Sequence, residues 1–246
     1  MVDSTTGYVL AIVFLATFVR TALGFGEALI AVPLLALRMP VTVATPLAVA
    51  VSVVVAGVSV SRDWRHVDLR DARWLIGTSF IGLPFGVLLL KEASDRMVHL
   101  LLGAIIIGVS LYWLRGRARM RLDEGHRGWL LGAGFCSGVL GGAYGMNGPP
   151  LAIYGALRGW SATKFRATLQ AYFLVASIAA CAGFATVGLW RPPVGHYLLV
   201  SLPAVAIAIG VARLVGRHLE GERFFRIVFT GLVAIGAVLV AQGLAR

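Results

Sequence analysis

The sequence predicts an all-α integral membrane protein built as two inverted-topology repeats. Each repeat is a broken or re-entrant Gly-rich helix pair followed by three transmembrane helices. Three observations predict it. The 246 residues are 59% hydrophobic and 13% charged, where soluble domains carry about 25% charge. Charge-free windows of membrane-spanning length occur at 41–61 and 167–190. Two glycine-rich polar strings, TALGFGEAL and GGAYGMNGPP, interrupt apolar sequence at related places in the two halves.

The N-terminal MVDSTTGYVLAIVF has no basic residue before its apolar run and carries Asp3. A cleavable signal wants a positive leading region, so a mature start is expected. Apolar runs at 7–19 and 28–37 flank the first string, and runs at 128–142 and 148–157 flank the second. At 1.5 Å per residue these are about 15–22 Å long, too short to cross a core of about 30 Å alone. Runs at 41–61, 72–90, 97–114, 167–190, 194–212 and 224–243 are long enough.

The order of one broken segment and three long ones occurs twice, which predicts a first repeat over 1–122 and a second over 123–246 in one integral domain. Sliding the second half back by 120 residues aligns Ala36-Leu37-Arg38 with Ala156-Leu157-Arg158, Val55-Ala56 with Val175-Ala176, and Val19 with Val139. Leu83-Pro84 and Leu202-Pro203 fall one residue off that register, and Glu27 matches Asn147.

Charge chooses between two topologies. If each broken segment crosses once, the basic clusters of the two halves fall on opposite sides. If each re-enters, Arg62, Arg65, Arg70 and Arg73, then Arg115, Arg117, Arg119, Arg121 and Arg127, then Arg158, Lys164 and Arg166, then Arg213, Arg217, Arg223 and Arg226 all share one face. The positive-inside rule makes that face cytoplasmic and puts both termini outside. The net charge of +11 is then accounted for by clusters between spans, not by nucleic acid. Trp64, Trp74, Trp113, Trp129, Trp160 and Trp190 mostly sit at segment ends, as an interfacial belt would. Cys136 and Cys181 lie in apolar runs and read as packing residues.

The breaks carry the functional prediction. A broken helix exposes backbone groups that protein, water or substrate must satisfy. The start of a half-helix presents free N–H groups and the positive end of its dipole, an anion site. Gly24, Gly26, Gly145 and Gly148 would let a small ligand approach the backbone. Pro149 and Pro150 suit a first helical turn, where a missing N–H costs little. Asn147, Tyr144 and Gln170 are further candidate lining residues. Tyr144 could equally be packing, and Gln170 an interhelical hydrogen bond. The glycines themselves could serve close helix packing.

Glu27 is a carboxylate at membrane depth, a costly placement that points to function. It could bind a proton or cation, or pair with Arg20 about two turns earlier. Arg20 could bind an anion or snorkel toward an interface. Together they are the candidate coupling residues. His99 reads as a residue near an interface. Catalytic, nucleotide-binding and metal-ligating motifs are missing, which argues against an enzyme and predicts no cofactor or metal.

GFGEALIAVPLLAL (24–37) and GFCSGVLGGAYGMNGPPLAIYGAL (134–157) resemble the two signatures of the sulfite exporter TauE/SafE family. RHVDLRDARWL (65–75) is similar to the loop ending that family's first pair of segments. The resemblance covers essentially the whole chain. It implies a permease for small anions such as sulfite, thiosulfate or organosulfonates, and the chain departs from the family pattern in two places. Glu27 stands where the family often has glycine, and Asn147-Gly148-Pro149-Pro150 replaces a more uniform glycine run. A carboxylate beside an anion site repels substrate unless protonated or paired, which suggests proton coupling through Glu27. The alternatives are an uncoupled small-solute channel and a non-transporting membrane scaffold. The expected partners are the lipid bilayer, a small anion and protons, with room for a homo-oligomer.

Overall fold

The computed structural model describes residues 4–63, 69–115, 127–215 and 222–245. Of the features above, Asp3, Trp64, Arg65, Arg117, Arg119, Arg121 and Arg217 lie outside these. The described residues form ten helices and no strand: α1 Ser4–Leu23, α2 Glu27–Ala36, α3 Val41–Asp63, α4 Leu69–Glu92, α5 Asp95–Leu114, α6 Arg127–Tyr144, α7 Gly148–Leu157, α8 Ala162–Thr186, α9 Pro192–Val215 and α10 Glu222–Ala245. Helices α1, α3, α4, α5, α8 and α9 are long and apolar enough to cross a membrane.

Two of the segments expected to be short are longer. Helix α1 has 20 residues, not the 7–19 run, and α6 has 18, not the 128–142 run. Helix α1 continues through Arg20 because that side chain is turned inward and paired, so its charge does not end the apolar helix. Helix α6 continues through its glycines because they pack against α4. A Cβ at Gly134, Gly138 or Gly142 would come within 1.9–2.4 Å of Thr78 Oγ1, the Ser79 carbonyl or the Leu83 carbonyl. On the facing helix, Cβ atoms at Gly82 and Gly86 would come within 2.2 and 2.0 Å of the Phe135 and Val139 carbonyls. Small residues every four positions bring the two backbones together, as membrane helix pairs do. Helices α5 and α10 meet the same way, at Gly103 and Gly236.

Helices α2 and α7 have ten residues each, about 15 Å. Helix α2 folds back along α1. The Tyr8 hydroxyl donates to the Leu34 carbonyl at 2.6 Å, and the Arg38 guanidinium lies 4.4 Å from the centre of the Tyr8 ring. Eight of the ten α2 residues are buried, including Pro33. Helix α7 likewise lies beside the first half of α6, with Trp129, Gly132 and Cys136 facing Pro150, Ile153 and Leu157 across an apolar groove. Cys136 and Cys181 are free thiols.

Helix starts follow local chemistry. Ser94 and Ser161 cap α5 and α8, each hydroxyl accepting an N–H three residues on at 3.3 Å. Trp74, Trp129 and Trp190 are exposed at helix ends. Trp113 instead packs inward, stacked on Phe229 at 5.7 Å and tilted against Phe25 at the same separation. His99 is also inside, 1% exposed, with Nδ1 2.8 Å from the Asp95 carbonyl oxygen.

Candidate functional site

Both predicted breaks exist, and they face each other. At the first, Gly24 and Gly26 adopt φ of +87° and +100°, which only glycine enters without cost. At the second, Gly145 has φ +68°, which lets the Met146 N–H reach back to the Leu140 carbonyl at 3.1 Å. A Cβ on Gly145 would lie 2.8 Å from Val49 Cγ2 and 3.5 Å from Ala28 Cβ, and one on Gly148 would lie 3.5 Å from the Phe25 ring. Each break therefore packs on the other's following helix or loop. Together they enclose a cavity of about 20 Å³, lined by Arg20, Glu27, Ser52, Asn147 and Phe173 among others, with Gly26, Gly145 and Gly148 also in its wall.

The reversal after α1 brings the first residue of α2 against the last turn of α1. Arg20 and Glu27 meet there as a hydrogen-bonded ion pair, with side chains 2% and 3% exposed. Thr17, one turn before Arg20, donates to Glu27 Oε1 at 3.4 Å. Arg20 also donates from Nη1 to Ser52 Oγ on α3 at 2.5 Å and from Nη2 to Gln170 Oε1 on α8 at 2.9 Å. Its guanidinium sits 5.1 Å from the centre of the Phe173 ring. The Gln170 amide is fixed at both ends, because Nε2 donates to the Gly24 carbonyl at 3.0 Å. Ser177 donates to Ser52 at 3.2 Å. Arg20 thus ties three helices and the first break together without snorkelling. One of its donors, Nε, is buried with no hydrogen-bond partner.

Backbone donors add to this. Gly26 caps α2 without a side-chain hydrogen bond, and the first helical bond runs from Ile30 N–H to the Gly26 carbonyl. The N–H groups of Glu27, Ala28 and Leu29 are left outside the helical ladder, at the positive end of the dipole. Helix α7 contributes fewer, since Pro149 and Pro150 have no N–H. Its start is held from behind. The Ser137 hydroxyl donates to the Asn147 carbonyl at 2.7 Å, and Tyr172 donates in turn to Ser137 at 2.9 Å. Asn147 fits because residue 141 is glycine, whose Cβ would lie 2.8 Å from Asn147 Nδ2.

The candidate residues take different places. Arg20, Gly26, Glu27, Gly145, Asn147 and Gly148 line the cavity. Gln170 stands one hydrogen bond behind it, through Arg20, and Gly24 is covered by the Arg166 stem. Tyr144 is fully buried and turned toward α5, its hydroxyl donating to the Val98 carbonyl at 3.3 Å. Sequence reasoning missed Thr17, Ser52, Ser137, Tyr172, Phe173 and Ser177. Two of these were within reach of the 120-residue register between the two halves of the sequence. Thr17 and Ser137 are 120 residues apart, and each bonds the residue ten positions on, Glu27 or Asn147. The others come from α3 and α8 and carry no local signal.

The family model described as "Sulfite exporter TauE/SafE" matches residues 9–240. The chain belongs to the sulfite exporter TauE/SafE family. A Cupriavidus necator protein named "Probable sulfite/organosulfonate exporter TauE" is 28% identical over 233 residues, covering 91% of this chain and 89% of that protein. No solved structure matches the chain. As a TauE/SafE member with six apolar helices of spanning length among its described residues, it is a multi-pass protein of the cell membrane.

Proposed function

We propose that this TauE/SafE protein is a secondary transporter of small anions of the sulfite, thiosulfate or organosulfonate class. The substrate binds where the two breaks meet, and transport is coupled to protons through Glu27. The observation that carries this is the shared cavity. Two sequence-distant half-helices begin at one buried place, beside a buried Arg20–Glu27 pair. Family membership and the name of the Cupriavidus necator relative point to the same substrate class. Ser52 and Phe173 are each twelfth in their helices, of 23 and 25 residues, which supports a site near the bilayer midplane.

In the same proposal α1–α2 and α6–α7 are re-entrant hairpins, α1 entering to the break despite a length that would let it cross, and the two halves are inverted, a recurring design in secondary transporters. The Tyr8–Leu34 hydrogen bond supports it, since a single kinked crossing would carry Leu34 away from Tyr8. The sixteen basic residues named above then face the cytoplasm. A C-terminal reporter fusion should score outside, and a cytoplasmic score refutes the topology.

The functional test is sulfite efflux from proteoliposomes with and without a pH gradient, with Asn147→Leu alongside. Saturable flux that responds to the gradient and is lost in Asn147→Leu is expected. Flux that does not saturate argues for a channel. Substitutions at Gly145 and Asn147 that change stability in a protein carrying no flux argue for a scaffold.

A further inference from the structure

We infer that Arg20 is the residue that binds the substrate's oxyanion group, and that the Glu27 carboxylate is its built-in competitor, occupying that place on Arg20 whenever the carrier is empty. The inference rests on the anion-transport reading above and assigns its site in more detail.

The first observation is space. A cavity of about 20 Å³ holds one water molecule, which needs roughly 10–15 Å³ by this measure. A sulfite or sulfonate group has a central atom and three oxygens, so it does not fit beside the ion pair. It can enter only where a group moves out. The second is donor supply. Arg20 is 2% exposed and lines the cavity, and its Nε has no partner. A guanidinium has five N–H donors in a planar fork suited to two oxygens at once. The three unladdered N–H groups at the start of α2 lie next to the same carboxylate. The third is that Glu27 already has the shape of the ligand. Its two oxygens accept from Arg20 and Thr17 as an anion's would.

The groups facing Glu27 are Thr17 and Arg20 from α1, Ser52 from α3 and Asn147 from the second break, while Gln170 and Phe173 of α8 meet Arg20. Arg166 lies over Gly24 at the edge of the break. Among the described residues, Arg20 is the one charged partner that touches Glu27. Once an anion takes Arg20, an ionised Glu27 would be a second negative charge in a dry site with no cation left to meet it. An uncompensated buried charge is strongly unfavourable, so Glu27 takes up a proton as it leaves. The empty site holds one positive and one negative charge. The loaded site holds Arg20, a monoanion and a neutral acid. Both have the same net charge, and one proton travels with each anion.

The test uses the purified full chain in nanodiscs, in weak buffer with a pH indicator; short alkylsulfonates, monoanions across the neutral range, give the proton count, and thiosulfate, a dianion, is titrated alongside as a second binding probe. About one proton should be taken up per anion bound. Affinity should weaken about tenfold per pH unit of rise while Glu27 is ionised in the empty protein. Glu27→Gln should bind the same anions with no proton uptake and a flat pH profile. Wild-type binding without proton uptake overturns the inference and leaves the transport reading standing, as does a Glu27→Gln profile that keeps the wild-type slope. Should Glu27→Gln not fold, the wild-type proton count decides alone. No binding of any of these anions by folded wild-type protein overturns both.

Discussion

Replacing Gln170 by Leu tests whether this residue positions Arg20. The substitution puts an apolar side chain of similar size in its place and removes both hydrogen bonds of the amide. One is charge-assisted, from Arg20 Nη2 at 2.9 Å, and one is neutral, to the Gly24 carbonyl at 3.0 Å. A hydrogen bond to a charged group contributes about 1.5–3 kcal/mol. A neutral interhelical bond inside a membrane averages about 0.6 kcal/mol. Gln170→Leu should therefore destabilise the protein by roughly 2–3.5 kcal/mol. It should also free the Arg20 fork to rotate, lowering apparent affinity for the anion more than maximal flux. Gln170→Glu separates the two bonds. Its carboxylate still accepts from Arg20, but it sets an oxygen against the Gly24 carbonyl and a second negative charge near Glu27. Flux should fall further than in the leucine variant even though the Arg20 contact is kept. The assay pairs thermal unfolding in detergent with anion uptake into proteoliposomes. A leucine variant within about 0.5 kcal/mol of wild type, the range of a neutral surface change, with unchanged affinity, would refute the positioning role.

Arg20→Gln leaves the Glu27 carboxylate without its cation and should cost about 3–5 kcal/mol, the range for breaking a buried ion pair from one side. The double variant Arg20→Gln with Glu27→Gln should recover much of that in thermal unfolding; a double variant no more stable than the single one contradicts the coupling. Gly138→Leu drives a side chain into the Ser79 carbonyl, 2.2 Å from where its Cβ would sit, and should abolish the folded peak in size-exclusion chromatography. Gly132→Leu, with nothing within 4 Å, should leave that peak intact. Ser161→Ala removes the cap of α8, the helix that carries Gln170, and should cost about 1 kcal/mol in thermal unfolding.

Much of the site was legible because its signals are local. Glycine at +φ and proline at a helix start are constraints a residue carries with it, so TALGFGEAL and GGAYGMNGPP announce two reversals before any packing is known. Glu27 announces itself by the cost of a carboxylate at membrane depth. The helix lengths were misjudged where a local signal had a non-local answer. Arg20 looked like the end of an apolar run until Glu27, Ser52 and Gln170 were seen to satisfy it. Gly141 and Gly142 were read as the start of the break, but α6 runs on to Tyr144, with Gly142 packed against the α4 backbone at Leu83.

By itself the sequence determined the class of protein, five of the runs long enough to span, and the two breaks. Each of these depends on composition or on a residue's own backbone preference, and both can be read along the chain. Only the tertiary structure decided that the breaks meet, that Arg20 pairs with Glu27 instead of reaching an interface, and that Tyr144 turns away to Val98 while Ser52 and Phe173 turn in. Those outcomes follow from which helix faces fit closely enough to exclude lipid and water. Close packing is a property of pairs of surfaces, some as far apart in the chain as Arg20 and Gln170, and neither surface records it alone.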